Sequence, residues 1–147
     1  MATLDSASLD RLRSQLELHE GLRLKPYTDT VGKLTIGIGR NLSDVGISEA
    51  EARMLLDHDI LEARAGLEAR YPWFVGLDTI RQRVLIDMAF NLGAERLAQF
   101  QNTLKAVAEG RWSAAKAGML NSLWASQVGK RAIRLAQMME TGEDYTA

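Results

Sequence analysis

Apolar positions near the start of the chain repeat at helical spacing. They recur every three or four residues, at Leu9, Leu12 and Leu16. Ser6 or Ser8 suits the N-cap of such a helix, and Pro26 ends the helical pattern. Glu20 is the next residue on the same stripe. The pattern therefore predicts a first helix whose last turn presents a carboxylate on its apolar face.

A β pattern follows this helix. Residues 27–39 predict a hairpin, because small and polar residues at 28–32 suit a turn and β-branched and apolar residues fill 33–38. We expect this hairpin to be the main β element of the chain.

A long helical segment comes next. Ser48 and Glu51 fit the capping box S-x-x-E, and no helix breaker follows before Gly66. One apolar stripe runs through the segment, at Ala52, Leu55, Leu56, Ile60, Ala63 and Leu67. A helix over 48–70 would be roughly 30 Å long, enough to connect two lobes.

The rest of the chain also has helical periodicity. Tyr71 and Pro72 end the long helix, and Asp78 caps a further one that ends at Gly93. We expect three more helices, over 94–109, 112–120 and 130–139. The fold class is therefore α+β and mainly helical, with a small hairpin lobe, a long connecting helix and a larger helical lobe.

Composition excludes several classes of protein. With 147 residues, 46% of them hydrophobic and 25% charged, the chain has the usage of one globular domain. No cysteine is present, which removes disulfides, thiolate nucleophiles and cysteine-based zinc sites. The beginning of the chain lacks the apolar run of a secretory signal, and no apolar stretch approaches the ~20 residues of a membrane span. We expect no membrane insertion.

The sequence gives no sign of a metal or cofactor. The chain has two histidines, His19 and His58, far apart in sequence. His19 begins the zinc motif H-E-x-x-H, but Arg23 occupies the position of the second histidine. We expect a protein without a metal site or a cofactor.

Charge is concentrated in the second half of the chain. Residues 96–139 contain seven basic residues and one acidic residue, whereas the whole chain has a net charge of −1. An anionic polymer is a suitable partner for such a stretch, and an asymmetric solvated surface explains it equally well. The basic residues are dispersed at helical spacing, without the aromatic or glycine interleaving of a nucleic-acid site.

Two carboxylates bracket the junction between the first helix and the hairpin. Glu20 and Asp29 could act as an acid and base pair, with Thr35 facing Asp29 across the hairpin. A salt bridge at the helix end is the ordinary alternative for Glu20, and a turn-stabilising hydrogen bond is the alternative for Asp29. Spacing alone leaves both readings open.

The wording of this segment favours catalysis. Residues 20–39 read EGLRLKPYTDTVGKLTIGIG and resemble the signature E-G-x-R-x-x-x-Y-x-D-x-x-G-x-x-T-I-G-x-G of phage-type lysozymes, glycoside hydrolase family 24, which includes the T-even phage enzymes. Segments 48–70, 87–93, 100–103 and 122–134 also resemble family counterparts in the same order. The resemblance implies one lysozyme-like two-lobed catalytic domain over 1–147. Its small lobe would cover about 20–47, its connecting helix about 48–70, and its helical lobe about 71–147 plus the first helix.

The resemblance also implies a function. It identifies Glu20 as the general acid and assigns the attacking water to Asp29 and Thr35, in an endolysin muramidase that cleaves the β-1,4 bond between N-acetylmuramic acid and N-acetylglucosamine with inversion. A lytic transglycosylase of the same fold, which needs only the acid, and a non-catalytic wall-binding module are the alternatives.

The resemblance extends to partners and location. Peptidoglycan would be the substrate of a monomer made in the cytoplasm of an infected bacterium. A separate holin-type protein would release the enzyme to the cell wall for host lysis.

Three further positions follow from the resemblance. Phe90 and Thr103 would line the cleft, although an aromatic residue at Phe90 on an apolar stripe also suits a core. Arg131 would pair with Glu20, with a surface arginine as the alternative. Trp124 is expected in the core.

One difference from the T-even enzymes gives a specific prediction. Arg40 follows the T-I-G-x-G run, where those enzymes have a histidine, and Asp59 on the connecting helix is the matching aspartate. We expect an ion pair between Arg40 and Asp59. Arginine would keep its charge between pH 5 and 8, unlike a histidine.

Overall fold

The first helix begins one residue earlier than the serine caps suggested. A computed structural model of the chain describes residues 3–145, and α1 spans Ser6–Glu20. The cap is Asp5, whose Oδ1 accepts the backbone N–H of Ser8 at 2.8 Å. Ser6 and Ser8, the predicted caps, therefore lie inside the first turn. An aspartate cap also carries the negative charge that a helix N-terminus favours.

Three short antiparallel strands follow in the order β1-β2-β3. They are β1 (Arg23–Thr28), β2 (Leu34–Gly37) and β3 (Arg40–Asn41). The hairpin is confirmed, but β1 starts before Pro26 and contains it. The β1–β2 register is irregular between Arg23 and Tyr27, and proline is tolerated where regular pairing lapses. β3 is an addition to the predicted hairpin.

The capping box of the long helix is confirmed. α2 spans Glu49–Arg70. The backbone N–H of Ser48 donates to Oε1 of Glu51 at 2.9 Å, and the N–H of Glu51 donates to Oγ of Ser48 at 3.1 Å. These reciprocal bonds satisfy two donors at the start of the helix.

Six further helices complete the described chain. A 3₁₀ turn over Pro72–Gly76 precedes them, and the helices are α3 (Thr79–Leu92), α4 (Ala94–Ala98), α5 (Gln101–Ala108), α6 (Trp112–Leu120), α7 (Leu123–Val128) and α8 (Lys130–Thr141). Asp78 caps α3 as predicted, accepting the N–H of Arg81 at 3.0 Å. The single helix expected over 94–109 is two helices, and α7 was not predicted. The predicted α+β, mainly helical class is confirmed.

The chain divides into two compact units, one that reaches to Arg53 and one that starts at Met54. The first unit contains α1 and the sheet, whereas the sequence analysis grouped α1 with the helical lobe. Every buried hydrophobic side chain of the described residues belongs to the second unit. Four of these side chains are methionines, at Met88, Met119, Met138 and Met139. The second unit therefore holds the hydrophobic core.

Arg81 fastens the C-terminal end of α8 to α3. Its guanidinium donates to the carbonyl oxygens of Met139 at 2.7 Å and Glu140 at 2.9 Å, and to Oδ1 of Asp78 at 3.1 Å. It also lies 3.8 Å from the ring centroid of Trp112. The carbonyl groups that α8 leaves without helical partners thus receive a charged donor.

Candidate active site

Glu20 is the last residue of α1 and its side chain is exposed. Gly21 ends the helix, with its N–H bonded to the carbonyl oxygen of Glu17 at 2.8 Å. The carboxyl group lies against Gly39, because a Cβ added to that glycine would be 2.7 Å from Oε2 of Glu20. The end of α1 therefore delivers an acidic group onto the turn between β2 and β3.

Asp29 lies in the turn that follows β1. Its Oδ1 accepts the backbone N–H groups of Val31 at 3.0 Å and Lys33 at 2.8 Å. Within the described residues its Oδ2 accepts no hydrogen bond. One oxygen thus stabilises the turn, as the ordinary alternative expected, while the other remains available to a water molecule.

Thr35 is the one buried residue among the described residues of the first unit, with 4% of its surface exposed. It pairs with Tyr27 rather than facing Asp29 directly across the hairpin, because Asp29 lies beyond the paired part of β1. The Oγ1 of Thr35 donates to the carbonyl oxygen of Lys33 at 3.0 Å. Lys33 therefore contacts both residues through its backbone, its N–H bound to Asp29 and its oxygen to Thr35.

The partner of Arg40 is Glu51, which corrects the expected pair with Asp59. The guanidinium Nη2 lies 2.7 Å from Oε2 of Glu51, and Nη1 donates to the carbonyl oxygen of Gly46 at 3.2 Å. The capping box turns the Glu51 side chain back toward the chain that precedes α2, where Arg40 lies. Asp59 is about two helical turns further along α2. The hydrogen bond from Arg40, with the backbone N–H of Ser48, lowers the pKa of Glu51 from 4.5 to about 2.

Two of the predicted substrate residues share a cavity of the second unit. Phe90 and Arg131 line a space of about 580 Å³, and Phe90 is 48% exposed rather than a core residue. Arg131 is bound by Asp87, with Nη2 2.6 Å from Oδ1. This partner was not predicted from the sequence, although Asp87 lies three residues before Phe90 and so on the same side of α3. The pair of Arg131 with Glu20 stays a prediction.

Thr103 lies in a different part of the second unit. It is 6% exposed and lines a cavity of about 400 Å³ together with Gly118. Gly118 has no side chain where one would collide with Oγ1 of Thr103, a relationship that the sequence analysis missed. Trp124 is buried as predicted, and its indole N–H donates to Oδ1 of Asn91 at 2.7 Å.

Two properties of the described residues, 3–145, concern metals and membranes. No group of three or more His, Asp or Glu side chains in this range could hold a metal ion. No helix in it is both long and apolar enough to cross a bilayer.

The chemistry of this hairpin defines a class of protein. A carboxylate at a helix end, near a hairpin that carries a second carboxylate and a buried threonine, supplies the acidic groups that glycoside hydrolases use. Comparison with known families gives the particular assignment. The family model described as phage lysozyme matches residues 17–138, so the chain belongs to the phage lysozyme family. It is accordingly a glycoside hydrolase, a lysozyme-type enzyme that acts on peptidoglycan.

Individual relatives agree with this assignment. The chain is 28% identical to probable T4-type lysozyme 1 and 29% identical to probable T4-type lysozyme 2 of Dictyostelium discoideum, over 89% of this chain and 94% of each relative. It is also 29% identical to the pre-baseplate central spike protein Gp5 of Enterobacteria phage T4, over 89% of this chain but 28% of that protein. The similarity to Gp5 therefore concerns one part of a longer chain.

Proposed function

We propose that this lysozyme is a muramidase that hydrolyses the β-1,4 bond between N-acetylmuramic acid and N-acetylglucosamine. The observation that carries the proposal is the double use of the Lys33 backbone, which holds Asp29 by its N–H and Thr35 by its carbonyl oxygen. A hydrolase must keep a water molecule in a fixed place, and these two side chains are fastened to one short segment. A transglycosylase has no need of such a pair.

The reaction assigns one role to each carboxyl group. Glu20 donates its proton to the glycosidic oxygen, which leaves as the 4-hydroxyl of N-acetylglucosamine. Water attacks C1 of N-acetylmuramic acid from the opposite face, and Asp29 accepts the proton that the water loses. Thr35 orients that water. The products are a new reducing end and a new non-reducing end, with Glu20 deprotonated and Asp29 protonated until they exchange protons with solvent.

The stereochemistry follows from where the water stands. When water attacks directly, the β bond gives an α product, and the two carboxyl groups need a separation of about 6.5 to 9.5 Å. The backbone bonds to Oδ1 hold the Asp29 carboxylate in the turn, and Oδ2 is left to accept a proton from water. We infer that the enzyme inverts the anomeric carbon.

The predicted substrate residues belong to the second unit, at Phe90, Thr103 and Arg131. Phe90 is about half exposed and lines the same cavity as Arg131, an arrangement that suits an apolar sugar face next to polar groups. Thr103 lines a separate cavity. Arg131 binds Asp87, and its pairing with Glu20 would require it to divide its donors between two carboxylates.

The biological role is lysis of the host bacterium at the end of infection. Membership in a phage lysozyme family supports this role, and the basic stretch over 96–139 suits attraction to anionic wall polymers. The enzyme acts as a monomer on peptidoglycan. It waits in the host cytoplasm until a holin-type protein lets it reach the wall.

Mass spectrometry of released fragments tests the proposal. Purified peptidoglycan is digested with the wild type, with Glu20→Gln and with Glu17→Gln, which makes the same change one turn earlier on α1. We expect reducing N-acetylmuramic ends from the wild type and Glu17→Gln, and a loss of at least about 100-fold in Glu20→Gln. Proton NMR of the first product should show the α anomer.

Other outcomes identify the alternatives. Anhydro ends would make the protein a transglycosylase. Fragments from Glu20→Gln at the wild-type rate would remove Glu20 from the mechanism. An absence of fragments from every variant would favour a wall-binding module.

A further inference from the structure

Gly39 lies under the side chain of Glu20. A Cβ built on Gly39 would lie 2.7 Å from Oε2, 2.9 Å from Cδ and 3.0 Å from Cγ of that glutamate. Real Cβ atoms essentially never approach another atom this closely in the first two cases. The outer half of the Glu20 side chain therefore occupies the space that any other residue at position 39 would fill.

The turn that contains Gly39 is part of the sheet. It connects β2 to β3, and the consecutive strand pairs Ile36↔Arg40 and Thr35↔Asn41 hold its two ends together. Thr35 belongs to the same hairpin, and β2 continues from the turn that holds Asp29. The surface that supports the acid is thus built into the element that carries the other two catalytic side chains.

We propose that Gly39 is a positioning residue that sets where the carboxyl group of Glu20 stands relative to Asp29 and Thr35. The inference rests on the proposed function, because it takes Glu20 as the acid. The absence of a side chain lets Glu20 lie flat on the sheet turn. Any Cβ at this position lifts the carboxyl group away from the turn and away from the glycosidic oxygen.

Displacement of Glu20 should affect the rate more than the fold. Glu20 is exposed and its carboxyl group is the far end of a flexible side chain, so it can rotate away from a new methyl group without disturbing the core. A misplacement of about 1 Å can reduce a reaction rate by roughly 100-fold. The effect should appear in kcat, because Gly39→Ala removes no side chain that could hold the substrate.

Backbone strain must be separated from displacement, and Gly37 is the matched control. Gly39 has φ of +74° and Gly37 has φ of +71°, a region that L side chains rarely adopt. Nothing lies within 4 Å of a Cβ added to Gly37. Gly37→Ala therefore has the same strain in the same hairpin without a collision with Glu20.

The experiment measures kcat, KM and Tm for Gly39→Ala and Gly37→Ala on a soluble peptidoglycan fragment. We expect a similar decrease in Tm for both variants. Gly39→Ala should lose about 100-fold in kcat with KM within about twofold of the wild type, and Gly37→Ala should stay within about threefold in kcat. Equal kcat values for the two variants would overturn the proposal.

A second pair of variants covers the case in which Gly39→Ala does not fold. Asparagine tolerates positive φ better than alanine but still has a Cβ. Gly39→Asn should therefore keep more of the wild-type Tm than Gly39→Ala and still lose kcat, whereas Gly37→Asn should keep kcat. An active Gly39→Asn would also overturn the proposal.

Glu20→Gln separates this inference from the proposed function. If Glu20→Gln retains activity, then Glu20 is not the acid and the proposed function fails. If Glu20→Gln is inactive while Gly39→Ala retains the wild-type kcat, the acid role stands and only the positioning role of Gly39 is lost.

Discussion

The indole N–H of the buried Trp124 donates to Oδ1 of Asn91 on α3 at 2.7 Å. Asn91→Ala removes the acceptor of a buried donor, so we expect a decrease of about 1 to 2 kcal/mol in the free energy of unfolding. Urea denaturation measures this change. Asn91→Asp keeps an acceptor at the same place and should retain most of the stability. Equal losses in both variants would show that the hydrogen bond is not the cause.

The ion pair between Arg40 and Glu51 should make stability depend on pH. The pKa of Glu51 is about 2 in the folded protein, against an ordinary value of 4.5, so the folded state favours the charged carboxylate. The stabilisation is therefore complete above pH 4.5 and is lost as the pH falls toward 2. Glu51→Gln keeps the capping box and removes the charge, so its Tm should be lower than that of the wild type at pH 7.

The pH dependence of that difference is the measurement. Wild type and Glu51→Gln should converge in Tm between pH 4.5 and about 2. Glu49→Gln is the control, because the Glu49 pair with Arg53 is more exposed and should contribute little. A difference that stays constant from pH 7 to pH 2 would contradict the ion pair as its source.

Arg81 should be a large single contributor to the stability of the second unit. Its side chain is 11% exposed and bonds two carbonyl groups of α8 while stacking on Trp112. Arg81→Ala leaves those carbonyl groups without a donor, and we expect a loss of about 3 kcal/mol in chemical denaturation. Arg81→Lys keeps the charge but cannot reach both carbonyl groups, so it should fall between alanine and the wild type.

Asp29→Asn should separate activity from stability. An amide oxygen can still accept the N–H groups of Val31 and Lys33, so the turn should survive and Tm should change little. The amide cannot take a proton from water, so we expect activity to fall by about 100-fold or more. Release of peptidoglycan fragments and thermal unfolding, measured on the same preparation, check both statements. A large decrease in Tm would instead assign the loss to the turn.

Local signals accounted for the parts of the structure that the sequence predicted well. The capping box at Ser48 and Glu51 and the cap at Asp78 were recognised because their partners lie three residues away. The same kind of signal was ambiguous at the start of α1, where Asp5 and the two serines are all suitable caps. Short-range hydrogen bonding limits the number of candidate cap residues but does not always identify the one that is used.

Long-range pairing explains most of what was missed. Arg131 binds Asp87 across 44 residues of sequence, and no periodicity relates the two positions. The short helix α7 depends on the burial of Trp124, which tertiary packing provides. At the candidate site, Glu20, Asp29 and Thr35 were singled out by their positions in the sequence, and the family resemblance gave them roles that stay predictions. The contact between Gly39 and Glu20 was not predicted, because a glycine in a sequence does not show which side chain occupies the place of its missing Cβ.

Oxidation of the methionine-rich core should report how often the second unit unfolds. Met54 is 73% exposed, whereas Met88, Met119, Met138 and Met139 are buried. Peroxide converts an accessible methionine to its sulfoxide, and the polar product is unsuited to a packed interior. Met54 should therefore be oxidised at the rate of a free side chain, while the four buried sulfur atoms react only in molecules that have opened. Under oxidising conditions, oxidation of the core methionines would accumulate at the rate of unfolding and would then oppose refolding.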